Sequence, residues 1–113
     1  MKISRNLYIG NSMRAENIKR LLAEINCGKT VRNAVVITVS SNPDNQLDFI
    51  HTYFLRQESF RRMLPLVVGV ASDRYEANAL LEVILKDTMD NTGGTDMRTY
   101  LLGRDLEGAE EIL

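Results

Sequence analysis

The chain has 113 residues, which is enough for one domain and too few for two. Its formal net charge is −1, and acidic and basic residues are interspersed along most of the sequence. Charge therefore gives no reason to expect duplex nucleic acid or an anionic membrane as a partner.

The cysteine content and the lengths of the apolar runs indicate in which cellular compartment the protein is found. Cys27 is the only cysteine, which excludes an intramolecular disulfide, argues against the usual zinc patterns and favours a reducing compartment. The first ten residues lack the apolar core of a signal peptide. The longest apolar runs are far shorter than the roughly 20 residues that span a bilayer. We therefore expect a cytoplasmic protein with no membrane partner.

The first half of the chain predicts two strands, each followed by a helix. Residues 7–9 (LYI) favour a short strand that ends at Gly10. Apolar residues then recur at helical spacing from Met13 until residues 26–28 (NCG), which stop the helix. Residues 34–39 (AVVITV) are apolar on both faces, which is typical of a strand covered on both sides. Residues 40–44 (SSNPD) predict the start of a second helix that extends to about residue 57.

The second half predicts a third strand, a long helix and a fourth strand. Residues 66–71 (LVVGVA) are again apolar on both faces. Asp73 and Glu76 have the spacing of a capping box, and residues 91–94 (NTGG) end the helix that follows. Residues 97–102 carry mixed polar and apolar faces, which suit an edge strand. Residues 104–113 are acidic and predict a C-terminal tail outside a domain that covers residues 1–103.

This alternation predicts an α/β fold with the order βαβαβαβ and a mostly parallel four-stranded sheet. The second and third predicted strands should be interior because both of their faces are apolar. The first and fourth should be edges, and the strand order stays open.

Ligands of open parallel sheets bind outside the carboxyl ends of the strands, where helix N-termini attract anions. The polar residues after the first three predicted strands are therefore candidate ligand-binding residues: Asn11, Ser12, Ser40, Ser41, Asn42, Asp44, Ser72 and Asp73. The same residue types also cap helices, so capping without a ligand is the alternative explanation.

Two other features are candidate sites. His51 follows Asp48 by three residues on the predicted second helix, where the two side chains could meet, although a structural histidine is the alternative. Arg56, Arg61 and Arg62 form a local basic cluster that could bind an acidic partner or simply face solvent. No phosphate-binding loop, nucleophile elbow or metal-binding motif is present, so we predict no catalytic residue, cofactor or metal.

Two segments carry a family resemblance: residues 36–51 (VITVSSNPDNQLDFIH) and residues 65–71 (PLVVGVA) followed by residues 75–77 (YEA). They resemble a family of small uncharacterised proteins from anaerobic Gram-positive bacteria. The resemblance implies a bacterial, cytosolic protein, and it implies no activity, cofactor or catalytic residue.

Three functions fit these features. The first is a non-enzymatic ligand-binding or regulatory module that self-associates as a homodimer, because its apolar strands leave surface for a second copy to cover. The second is a small enzyme for a phosphorylated or carboxylated metabolite, with Ser40, Ser41, Asp44 and His51 as its first suspects and Asp73 nearby. The third is a structural or assembly protein that acts through the arginine cluster and the acidic tail.

Overall fold

A computed structural model of the chain describes residues 1–29 and 32–111. The last two residues of the predicted tail, 112 and 113, lie outside this part. The elements in chain order are β1 (Lys2–Ile9), α1 (Ala15–Asn26), β2 (Val35–Val39), β3 (Leu47–His51), a 3-10 helix (Thr52–Arg56), α2 (Glu58–Arg62), β4 (Leu66–Ala71), α3 (Arg74–Thr92), α4 (Met97–Asp105) and β5 (Glu110–Glu111).

The strands form one mixed sheet in the order β3-β2-β4-β1-β5. Both strongly apolar strands, β2 and β4, are interior and every residue in them is buried, which confirms that part of the prediction. The expectation of a mostly parallel sheet is wrong. Only β1 and β4 are parallel, whereas β2 runs antiparallel to both β3 and β4, and β5 runs antiparallel to β1. The prediction that the first strand is an edge is also wrong, because the two-residue strand β5 pairs with β1 on the side away from β4.

The predicted second helix is wrong, because residues 47–51 form strand β3, which pairs with β2 as a hairpin. The polar residues before it make a turn instead of a helix cap. The Ser40 hydroxyl accepts the Asn42 N–H at 3.1 Å, and the Asn42 side chain accepts the Asp44 N–H at 3.0 Å. Such local bonds compete with helix initiation and reverse the chain. The reversal makes β2 and β3 antiparallel.

The predicted fourth strand is also wrong, because residues 97–102 belong to helix α4. Asp96 caps this helix: its two carboxylate oxygens accept the N–H and the hydroxyl of Thr99 at 3.1 and 2.7 Å. A cap of this kind satisfies backbone donors that would otherwise be unpaired at a helix start. Leu101 is fully buried against the sheet, so tertiary packing and the cap together favour the helix.

Helices cover both faces of the sheet. On one face α1 buries Ile18, Leu21, Leu22 and Ile25, as its apolar spacing predicts. On the other face α3 and α4 pack over the second core cluster. α3 ends at Gly93, whose φ of 75° is a left-handed conformation that glycine adopts readily, which confirms the predicted stop. No helix in residues 1–29 or 32–111 is both long and apolar enough to cross a membrane.

Residues 104–111 contribute to this architecture. Arg104 and Asp105 end α4, and the Asp105 side chain is buried. β5 then pairs with the start of β1 through Lys2 and Ile3.

Candidate ligand-binding site

The three polar turns chosen as candidates do not meet at one end of the sheet, contrary to expectation. Because β1 and β4 are parallel, their following turns lie at the same end: Asn11 and Ser12 after β1, Ser72 and Asp73 after β4. The third turn, residues 40–46, follows β2. Since β2 is antiparallel to β4, this turn lies at the opposite end.

The two turns that do meet are joined by the carboxylate of Glu76 on α3. It accepts the Ser12 N–H at 3.1 Å and the Ser72 N–H at 2.9 Å. Partial burial acts to raise the pKa of Glu76, but the hydrogen bonds from Ser12 and Ser72 outweigh it and hold that pKa below its ordinary value. A side chain on Gly10 would overlap the carboxylate, so glycine is needed here for Glu76 to keep its hydrogen bonds to Ser12 and Ser72. A protein carboxylate therefore occupies the place where a bound anion was expected.

The other candidate residues at this end of the sheet either cap a helix or face solvent. The Asp73 carboxylate accepts the Glu76 N–H at 2.9 Å and caps α3, as the capping-box spacing predicts. Asn11 and Ser12 are exposed.

The residues of the opposite turn shape the hairpin. The Ser40 hydroxyl donates to the Asp48 carboxylate at 2.9 Å, and the Ser40 N–H donates to the Gln46 carbonyl at 3.1 Å. Ser41 is exposed at the tip. The anticipated contact between Asp48 and His51 is wrong, because residues three apart on a strand point to opposite faces.

An open cavity of about 510 Å³ lies at the carboxyl end of β4, between β3, the 3-10 helix and the start of α3. Its walls are mainly apolar and are formed by Val35, Phe49, Ile50, Phe54 and Phe60. Its polar groups come from Asn33, His51, Ser72, Asp73 and Arg74. An apolar cavity with a few polar groups is the usual form of a small-molecule site, and the end of a strand beside a helix start is a common place for one. We refer to it as the β3 pocket.

The 3-10 helix positions one wall of the β3 pocket. The Thr52 hydroxyl accepts the Ala34 N–H and donates to the Arg32 carbonyl, each at 3.2 Å, so it ties the start of this helix to the segment before β2. Leu55 is completely buried beneath the helix. With these two side chains directed inward, the intervening Phe54 projects outward and is 50% exposed.

The exposed aromatic rings form a continuous cluster. Phe54 lies between Tyr53 and Phe60, with ring centroids 5.5 and 5.9 Å apart. Phe60 is 39% exposed, so the cluster keeps much of its apolar surface in water. These distances fall in the range of favourable aromatic pairs, which hold the rings in defined orientations.

Two side chains at the β3 pocket have free hydrogen-bonding capacity. The Nδ1 atom of His51 accepts the Tyr53 N–H at 3.0 Å, which leaves Nε2 as the donor of the neutral ring. The Arg74 guanidinium makes no ion pair or hydrogen bond with any residue that the structure describes. Asp73, next to it, uses one carboxylate oxygen for its cap.

The predicted arginine cluster is divided among different contacts. Arg61 donates to the Leu55 and Arg56 carbonyls at 2.9 and 3.1 Å, and Arg62 pairs with Glu58 at 2.8 Å. The Arg56 guanidinium lies 5.7 Å from the Tyr53 ring centroid. The three arginines therefore do not present one common basic face.

The sequence-based prediction did not include four residues that line the β3 pocket, namely Phe49, Phe54, Phe60 and Arg74. The apolar Leu47 and Phe49 on one face of residues 47–51, opposite the polar Asp48, were the signal for an edge strand that would leave Phe49 partly open. Nothing local predicts that Phe60 and Arg74 meet it, because they lie on α2 and α3.

No group of three His, Cys, Asp or Glu side chains in the described part of the chain is arranged to hold a metal ion. Comparison with protein-family models, curated proteins and solved structures finds no match to this chain.

Proposed function

We propose that this protein is a non-enzymatic binding module for a small molecule with a flat apolar body and one anionic group, held in the β3 pocket. The observation that carries the proposal is the pairing of an open apolar cavity with an arginine that has no partner among the described residues. Binding of the ligand would change how the module binds a partner, or would change the activity of the module itself.

The apolar body of the ligand would lie against the phenyl rings of Phe49, Phe54 and Phe60. Burying apolar surface contributes about 25 cal/mol per Å², and ring-to-ring contacts add to it. The rings are already partly ordered by their mutual contacts, which reduces the entropy that binding would cost.

The anionic group would be bound by Arg74, with His51 Nε2 as a second donor. Arg74 is the first residue of α3, where the helix dipole also favours a negative charge. Asp73 stands beside this position, and its own charge limits the site to an anion of low charge. A carboxylate therefore fits better than a phosphate dianion.

The positions of the candidate catalytic residues favour a binding function over an enzymatic one. Ser40, Ser41 and Asp44 lie at the hairpin turn, while His51 and Asp73 lie at the other end of β3. A nucleophile and its base must be within about 3 Å of each other, or connected through one water molecule. This set does not form such an arrangement.

The experiment uses two probes with the same indole ring and opposite charges, indole-3-acetate and tryptamine. We expect amide chemical shifts around Phe54, Phe60 and Arg74 to move with indole-3-acetate, and tryptamine to bind about tenfold more weakly. Replacing Arg74 by Gln should weaken the binding of indole-3-acetate by about three- to tenfold, the effect of one charge-assisted hydrogen bond at a partly exposed site. The same change should leave tryptamine binding unchanged or slightly stronger, because a repulsive charge is removed.

The matched control is Tyr75→Ala, which alters the next residue of α3 at a position that is 87% exposed and does not line the β3 pocket. It should bind both probes as the parent protein does. Shift changes that are scattered over the surface, or a Phe54→Ala/Phe60→Ala variant that binds indole-3-acetate normally, would contradict the proposal.

A further inference from the structure

Strand β3 has an outer edge whose backbone groups are open. The Ser40 N–H bonds to Gln46 and the Thr52 N–H to Ala34, so every second residue between them, Asp48 and Ile50, also directs its backbone groups toward β2. Leu47 and Phe49 therefore direct their N–H and C=O groups away from the sheet, and His51 directs its N–H there. The His51 carbonyl begins the 3-10 helix, for which His51 is the N-cap residue. No strand among residues 1–29 and 32–111 pairs with that edge.

The open edge is complementary to itself. If two β3 strands run antiparallel about a two-fold axis at Phe49, Leu47 lies opposite the partner subunit's His51, and each Phe49 lies opposite its copy. The Phe49 pair exchanges two backbone hydrogen bonds, and the His51 N–H of each copy donates to the Leu47 carbonyl of the other, which gives about four across the edge. Phe49 side chains from both copies would meet on the α3 face of the sheet, where aromatic cross-strand pairs are stabilising.

The charges at the two ends of β3 agree with this antiparallel arrangement. The end that begins at the hairpin carries Asp44, which is exposed, and Asp48. The other end carries His51, lies beside Asp73 and Arg74, whose charges offset each other, and is followed by the exposed Arg56. A two-fold axis at Phe49 brings the acidic end of each copy beside the basic end of the other. A parallel arrangement would place like charges together.

We infer that two copies of this chain pair through β3 into a continuous ten-stranded sheet. In this dimer the partner's Leu47 lies beside His51 at the rim of the β3 pocket, so the second copy narrows the open side of that pocket. The inference stands whether or not the pocket binds a ligand, because it depends only on the edge.

The first measurement is the mass of the chain by sedimentation over a concentration series. A dimer that dissociates on dilution is expected, and a monomer at all concentrations overturns the inference. The register is then tested by exchanging the cross-copy pair. Leu47→Lys and His51→Glu, each alone, should weaken the dimer by about tenfold, because each change alters two cross-strand pairs.

The double variant Leu47→Lys/His51→Glu should regain the affinity of the parent, since each new cation then faces a new anion of the partner. Phe49→Pro provides a second test that does not depend on charge. It removes an outward N–H, which the β2 ladder does not use, and should weaken the dimer while thermal unfolding stays cooperative. Folded single variants that dimerise normally, or a folded double variant that stays monomeric, would overturn the inference.

Discussion

The two sides of the sheet differ in how their polar groups are paired. We call the side formed by β1 and β5 the β1 end, and the side formed by β3 the β3 end. At the β1 end, the Asp105 side chain is completely buried and receives two hydrogen bonds of 2.7 Å from Arg104 and one of 3.1 Å from Asn6. At the β3 end, backbone groups of the edge strand and the rings of Phe54 and Phe60 face solvent.

The network at the β1 end extends beyond this ion pair. The Tyr8 hydroxyl donates to the Asp87 carboxylate at 2.6 Å and accepts from Arg104 at 3.0 Å. The Arg104 guanidinium also lies over the rings of Tyr8 and Tyr100, 5.4 and 5.3 Å from their centroids. These contacts join β1, α3 and α4.

This difference in pairing indicates that the β1 end stabilises the fold and that the β3 end is available for binding. Polar groups with partners at the β1 end hold the helices on the sheet, so changes there should lower the free energy of unfolding. Groups without partners at the β3 end add little to folding and are available for binding.

The largest loss of stability is expected for Asp105→Ala. Removing one member of a buried ion pair leaves the other without compensation, which costs about 3–5 kcal/mol for full burial. The Arg104 side chain is 27% exposed and can recover some hydration, so we expect about 2–3 kcal/mol. Urea unfolding measures this loss. The same change in an Arg104→Ala background should cost clearly less, and equal costs would contradict the pairing.

Acid should weaken the same contact. Burial acts to raise the pKa of Asp105, but the hydrogen bonds from Arg104 and Asn6 outweigh it and lower that pKa. A carboxyl group with a lowered pKa in the folded state contributes stability at pH values above about 4, its pKa when unfolded, and loses it as pH falls through the folded pKa. Asp105→Asn should therefore unfold with a flatter dependence on pH below 4 than the parent.

The second largest effect is expected for Gly10→Ala, with a loss of about 2 kcal/mol. The added methyl group displaces the Glu76 carboxylate from the N–H groups of Ser12 and Ser72. Thermal unfolding of a double-mutant cycle separates this cause from a general backbone effect. In a Glu76→Ala background the cost of Gly10→Ala should nearly vanish; an unchanged cost would show that the backbone itself rejects the methyl group.

The sequence predicted the elements whose signals are local and consistent. Helix α1 has its apolar residues on one face, and α3 has both the Asp73 cap and the Gly93 stop, so their ends were predicted closely. The interior positions of β2 and β4 followed from two apolar faces, because a strand can bury both only between other strands under helices.

The direction of β2 and the β3 pocket could not be predicted in this way. Residues 40–44 are equally good as a helix start and as a hairpin turn, and the choice depends on what residues 47–51 pair with. That choice reverses β2 and moves its following turn to the other end of the sheet. The pocket joins side chains of β3, the 3-10 helix, α2 and α3, so it exists only once the topology is known.

A smaller effect, about 1 kcal/mol, is expected for Tyr8→Phe, which removes a hydroxyl with two hydrogen-bond partners. Burial and the hydrogen bond to Asp87 raise the pKa of Tyr8 to about 12. A group whose pKa is raised on folding contributes its full stability below its unfolded pKa, about 10 for tyrosine, and loses it as pH rises to 12. The parent should therefore lose stability over this range, and Tyr8→Phe should lose less. Parallel curves for the two proteins would contradict this origin.

The smallest effect is expected for Phe60→Ala, about 0.5 kcal/mol in the free energy of unfolding, because the ring is partly exposed and its contact with Phe54 lies at the surface. Truncation of a buried phenylalanine would cost about 3–5 kcal/mol, so the two cases are easily distinguished. If Phe60→Ala unfolds almost as the parent does while indole-3-acetate binding falls, the ring serves recognition and the contrast between the two ends holds. A loss of stability comparable to that of Asp105→Ala would mean that the aromatic cluster is part of the folding core, and the contrast would fail.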